Sequence, residues 1–173
     1  QGFMEIEPDS DFIFPHEPKY EGQIVKPVDM RSYVWYRIGK MHCYGLGIEQ
    51  DYEKAFEWFL KSAQEGNKFA QYSLANLYYY GNGVEKDFSQ AFLWYQRSSS
   101  QGQPYASYAV AQMYSKGEYV CQNEEISQRY YKDALSGFLK LESKDQADDN
   151  LYCKLGSMFK KGLGTDIDMD SAI

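Results

Sequence analysis

The chain has 173 residues, 43% of them hydrophobic and 25% charged, with a formal net charge of −7. That much apolar material excludes a chain disordered by composition, and the acidic balance argues against direct nucleic-acid binding, since affinity for phosphate backbones comes from lysine and arginine. No apolar run reaches the roughly 18–20 residues of a membrane span, so no membrane contact is expected, and Cys43, Cys121 and Cys153 form no CxxC pair and read as free thiols of a reducing, cytoplasmic setting.

In chain order, "GFMEIE" at residues 2–7 resembles "GFLKLE" at 137–142, so residues 1–7 are expected to be the tail of a preceding repeat helix. Residues 8–30 hold four of the five prolines, Pro8, Pro15, Pro18 and Pro27, and predict an irregular connector anchored by Phe12, Ile13 and Phe14. From there a period of 36 residues runs along the chain, clearest in "YGLGIEQDYEKAFEWFLKSAQEG" (44–66) and "YGNGVEKDFSQAFLWYQRSSSQG" (80–102). It divides the chain into repeat 1 (31–66), repeat 2 (67–102), repeat 3 (103–147, with an extended second helix around "ESKDQADDN") and a truncated repeat 4 (148–173). The chain stops inside its own motif, so it is expected to be an excerpt of a longer repeat protein.

Each repeat predicts helix, loop, helix. Ala70, Leu74, Leu77 and Tyr78 share one face of the first helix of repeat 2, with Tyr78 in the core column. Gly81 ends that helix, because glycine accepts the left-handed conformation after a C-cap. Asp51, Asp87 and Asn123 stand at N-cap positions, Gly66 and Gly102 close the second helices, and Pro104 fits a first turn. Ala55, Trp58, Phe59, Ser62 and Ala63 form the buried face of one second helix; Ala91, Trp94, Tyr95, Ser98 and Ser99 form the next. Gly39, Ala75, Ala111 and Gly156 follow Ile38, Leu74, Val110 and Leu155 and should admit close helix approach, with Trp58 and Trp94 filling the space between pairs. One pair cannot bury both faces, so neighbours must stack. The fold class is all-α.

The two quoted stretches resemble Sel1-like repeats, relatives of tetratricopeptide repeats, over roughly residues 34–173. Repeat 3 departs from the pattern, with Tyr119 at the second loop glycine and Ser127 at the helix alanine. The resemblance implies a right-handed α-solenoid acting as an adaptor for other proteins. One secreted branch of that family carries a cysteine pair in each repeat; this chain does not. The wording also resembles Sel1-repeat tails of plasmid mobilisation relaxases, which makes a structural or regulatory tail of a larger enzyme the alternative reading.

Catalytic, metal and cofactor sites are not expected. His16 and His42 lack ligand spacing, and no Ser/His/Asp or Cys/His arrangement stands out. Asp166, Asp168 and Asp170 open like a calcium loop, but its glycine would fall on Ser171 and its glutamate beyond Ile173; a helix start explains them better. The GxG loops lack the GK[ST] of a phosphate loop. What exceeds the needs of a core is tyrosine. By analogy with the concave face of tetratricopeptide repeats, the expected surface comprises Tyr33, Tyr36, Lys40, Cys43 and Tyr44, then Phe69, Tyr72, Asn76, Tyr79 and Tyr80, then Tyr105, Tyr108, Gln112, Ser115 and Lys116. Tyr36, Tyr72, Tyr79 and Tyr108 should form one continuous lining. Rings with a polar tip suit a protein or peptide partner. The uncapped ends, with apolar faces near Phe3, Ile6, Leu155 and Met158, add an expectation of self-association.

Overall fold

The structure is a computed structural model that describes residues 30–144 and 149–165. The expected N-terminal helix tail, the connector with Phe12, Ile13, Phe14 and His16, and the Asp166–Asp168–Asp170 stretch lie outside the described residues. Those described form helices joined by tight loops, with no strand among them: α1 (Met30–Tyr44), α2 (Tyr52–Gln64), α3 (Lys68–Tyr80), α4 (Phe88–Ser100), α5 (Pro104–Lys116), α6 (Glu124–Glu142) and α7 (Asp149–Lys161). Each helix packs chiefly on the one before and the one after it in sequence, the contact pattern of an α-solenoid.

The helix ends follow from local chemistry. The Asp51 carboxylate accepts from the Lys54 amide at 3.0 Å, and that of Asp87 from the Ser89 and Gln90 amides at 2.8 and 3.0 Å. The Asn123 side chain accepts from the Ile126 amide at 2.9 Å. Such caps satisfy amides that the first helical turn leaves open, each worth about 1 kcal/mol. Gln103 makes no side-chain cap; Pro104 at the start of α5 has no amide hydrogen to satisfy. At the other end Gly81 has φ +75° and donates its amide to the Leu77 carbonyl.

Packing inside a pair rests on close approach. A Cβ on Gly39 would stand 2.6 Å from the Phe59 ring, so α1 and α2 meet only because that residue has no side chain. Ala75 and Ala111 occupy the same column and are fully buried. Gly156 differs: it is exposed, and no described residue lies within 4 Å of where its Cβ would stand. Polar ties cross the same interfaces. Ser62 Oγ donates to the Ser32 carbonyl, and one period later Ser98 Oγ donates to the Lys68 carbonyl at 2.7 Å.

Two apolar clusters result. The larger gathers Phe59, Leu74, Tyr95, Val110 and Met113; the second joins Tyr131, Leu135 and Phe138 to Leu151, Leu155 and Met158 of α7. Leu155 and Met158, expected on an exposed terminal face, are therefore buried, because α7 turns them onto α6. The exposed side of α7 carries Tyr152 and Phe159 instead. The tryptophans also differ from expectation. Trp94 is buried, but Trp58 is only half-buried with the Lys61 ammonium 4.7 Å from its ring centre, and Phe59 and Tyr95 fill the interior. Tyr78, expected in the core, is half-buried and packs edge-on against Phe56 of the preceding pair at 5.4 Å; Tyr114 repeats this against Phe92 at 5.6 Å.

Candidate functional site

A cavity of about 380 Å³ opens among α3, α4, α5 and α7. Tyr72, Asn76, Tyr79 and Tyr80 reach it because their spacing of four, three and one puts them on one face of α3. One period later Tyr108, Gln112 and Lys116 present the same face of α5, with Tyr105 one turn earlier. Tyr95 of α4, Lys154 of α7 and the apolar Ala109 and Met113 of α5 complete the lining.

The rings form a connected set. Tyr72 lies 5.8 Å from Tyr95 and 6.0 Å from Tyr105, centre to centre, and Tyr79 meets Tyr80 edge-on at 5.0 Å. The hydroxyls are fixed too: Tyr95 donates to Asn76 Oδ1 at 2.6 Å, and Tyr79 donates to Glu118 Oε2 at 2.7 Å. Burial pushes the Tyr95 phenol far above its ordinary value, with Tyr72, Tyr80 and Tyr79 adding to the effect. Burial and then the Glu118 carboxylate raise Tyr79 to about 12. These phenols are neutral donors throughout the physiological range. The Lys154 ammonium stands 4.5 Å from the Tyr108 ring centre and 6.0 Å from that of Tyr105, and burial lowers its pKa.

Eight of the fifteen residues expected on the concave face therefore line this cavity: Tyr72, Asn76, Tyr79, Tyr80, Tyr105, Tyr108, Gln112 and Lys116. Tyr33, Tyr36, Lys40, Cys43, Tyr44, Phe69 and Ser115 do not. Tyr36 is held by Tyr33, Phe59 and Phe69 at 5.8–6.2 Å, and the Lys40 ammonium lies near both Tyr36 and Tyr44. Tyr108 is only 8% exposed and packs edge-on against Tyr131 at 5.4 Å, so it belongs to the core as much as to the cavity. Sequence reasoning missed four members, Tyr95, Lys154 and the apolar Ala109 and Met113. Tyr95 was expected purely as packing; the signal was its hydroxyl, which Phe59 lacks one period earlier. Lys154 falls in the column of Arg37, Ser73 and Ala109 once the longer step of 45 into repeat 4 is applied.

Elsewhere chemistry is sparse. No group of three or more His, Cys, Asp or Glu among the described residues could hold a metal ion. Cys43 is half-buried and its thiol pKa is raised by burial, whereas Cys121 and Cys153 are exposed. His42 Nδ1 is buried without a hydrogen-bond partner. No helix among the described residues is long and apolar enough to cross a membrane.

Stacked helix pairs with one interface copied along the chain define an α-helical repeat protein of the solenoid class. The Sel1 repeat signature matches residues 36–67, 68–103, 104–136 and 151–173, most of the sequence, and the chain belongs to the Sel1 repeat family. Among solved structures it is similar to a Sel1 repeat protein from Oxalobacter formigenes, with 25% identity and a TM-score of 0.62 over 83% of this chain and 56% of that one. It is also similar to a protective antigen of uropathogenic Escherichia coli with an SLR fold, with 27% identity and a TM-score of 0.61 over 78% of this chain and 27% of that one. The chain thus spans about half the length of the first and about a quarter of the second. No curated protein matches in sequence. Sel1 repeats as a class mediate protein–protein interaction and are typically scaffolds rather than enzymes. The relaxase resemblance gains no support from these relatives.

Proposed function

We propose that this segment is a scaffold that holds a stretch of a partner protein against the tyrosine-lined groove of α3 and α5. The observation that carries the reading is the cavity of about 380 Å³, large enough for side chains of a bound segment and lined by rings from successive repeats. Tyr80 in particular stays 65% exposed, although burying it would release apolar area. A neutral phenol supplies broad contact area and a hydrogen-bonding tip at little entropic cost, which is why tyrosine concentrates at binding hot spots. Tyr33, Tyr44 and Phe69, each at least 40% exposed, extend the same chemistry toward α1 and make a second contact zone for a longer segment.

Site-specific photocrosslinking in cells tests this. A photoreactive phenylalanine at Tyr80 in the full chain should capture a discrete partner, and the same group at Leu93, exposed on α4 and absent from the cavity lining, should not. Equal capture at both positions, or at Leu93 alone, would place the binding surface elsewhere.

A further inference from the structure

The groove's charge says more about its occupant than its shape does. Two lysines, Lys116 and Lys154, line the cavity, and no carboxylate does, in a chain whose net charge is −7. Lys116 is already engaged by Glu118 at 3.5 Å, and Glu118 also accepts from Tyr79. Lys154 has no acidic partner among the described residues; its ammonium, drawn partly out of water, rests on the faces of Tyr105 and Tyr108. A half-desolvated cation held only by ring faces is under-compensated, since cation–π attraction returns less than a carboxylate hydrogen bond would. The rings' own cation site is thereby filled from within, so a lysine or arginine of a partner would have to displace Lys154. Gln112 also lines the cavity, and its side-chain amide can donate a hydrogen bond there.

We infer that the groove accepts an aspartate or glutamate side chain of the partner segment, its carboxylate meeting Lys154 and its methylene stem lying against the cavity-lining rings of Tyr72 and Tyr105. This rests on the groove being the binding surface, and the test separates the two statements.

The probe is a phage-displayed library of random dodecapeptides, selected against the folded chain and in parallel against K154Q, K154R and Y79A, each first checked for helix content by circular dichroism. Peptides selected on the parent chain and on K154R should share one fixed acidic position. Peptides selected on K154Q should lack it, and the parent peptides should bind K154Q at least tenfold more weakly. If the peptides carry no fixed acidic position and bind K154Q as well as the parent, the carboxylate inference is overturned while the groove stands, provided Y79A weakens them. If Y79A and K154Q both leave binding unchanged, or if no peptide is enriched, the groove reading itself falls and takes the inference with it.

Discussion

The second helix pair, α3 and α4, and the third, α5 and α6, make the same interface with different residues. In the second, Ser98 on α4 ties itself to the Lys68 carbonyl at the start of α3, and a plain Ala91 packs seven residues earlier. In the third, the serine column is Ala134, and the tie moves two turns along the helix to Ser127, which donates to the Ala111 carbonyl at 2.9 Å. The opening of α5 is then free to be Pro104, against which Gly137 packs so tightly that a Cβ would stand 2.7 Å away. The loop changes as well. Gly83 has φ +68°, and Tyr119 adopts the same +68° with a side chain attached. The period preserves a contact and a buried hydrogen bond; it does not preserve which residue supplies them.

Alkaline titration makes the largest demand on this difference. Burial, then neighbouring Tyr108, raises the Tyr131 phenol of the third pair from 10.0 to about 12, and Tyr95 of the second is raised further. A raised phenol pKa favours the folded state fully below the unfolded value and ceases to do so as pH climbs through the folded one. Helix content should therefore persist past pH 10 and collapse as pH rises through about 12, with the tyrosinate absorbance of the buried phenols appearing in that same step. Tyr131→Phe should move the collapse to higher pH and leave neutral-pH stability intact, because no hydrogen bond among the described residues holds its hydroxyl. Tyr95→Phe gives up the bond to Asn76 and should cost about 1 kcal/mol at neutral pH. Equal behaviour of the two variants would erase the contrast.

Next in size is truncation of a core ring. Phe59 is 1% exposed and Phe138 is 0% exposed, and each should cost about 3–5 kcal/mol on change to alanine, measured by urea unfolding. Phe138 has no counterpart at this depth in the second pair; it exists because α6 runs for 19 residues against 13 in α4, reaching Tyr105 and the α7 cluster. If Phe138→Ala cost under about 1 kcal/mol, α6 and α7 would be a separately melting unit.

That extension marks how far the sequence could be read. The period, the caps at Asp51, Asp87 and Asn123, and the lengthened α6 are local chemistry, and local chemistry is visible in a string of letters. The groove was legible on α3 and α5, where Tyr72 and Tyr108, like Asn76 and Gln112, stand 36 residues apart and Tyr79 shares the face, and illegible at Lys154, where the step changes to 45. Burial depth was harder still. Tyr78 and Tyr108 have similar side chains at regular positions, yet which one is buried depends on neighbours distant in sequence: Phe56 of the preceding pair covers an edge of the first, while Tyr131 and Phe138 of α6 enclose the second.

The loop position yields a pair of opposite, smaller effects. Gly83 lies against the Tyr52 backbone in the left-handed region, so Gly83→Ala meets both a steric clash and an unfavourable φ and should cost roughly 2 kcal/mol. Tyr119 already bears that φ cost, 60% exposed, with the Phe92 ring 5.6 Å away in partial recompense. Tyr119→Gly should stabilise by about 0.5 kcal/mol, the strain relieved less the added freedom of the unfolded glycine. A loss of stability instead would show that the ring contact with Phe92 outweighs the strain.

The smallest effect belongs to the rim of the groove, where the two pairs again fill one column differently, Tyr80 in the second and Lys116 in the third. Tyr80 is 65% exposed with the Tyr79 ring edge-on beside it, so Tyr80→Ala should change the unfolding free energy by less than about 0.5 kcal/mol. Lys116→Ala should do the same, because its pair with Glu118 spans 3.5 Å at a half-exposed site and such pairs contribute about 0–1 kcal/mol. Tyr72, one face deeper between Tyr95 and Tyr105, should cost clearly more than either, and at least as much as Tyr78, which has one ring neighbour. The discriminating observation is the ratio of stability loss to lost binding of the selected peptides. Tyr80→Ala should weaken peptide binding while barely moving the thermal midpoint, whereas Tyr78→Ala should lower the midpoint and spare binding in the fraction that stays folded. A Tyr80 variant that unfolds as readily as the Tyr78 variant would mean that the rim tyrosine is part of the repeat interface, and the exposed ring would no longer count toward a partner surface.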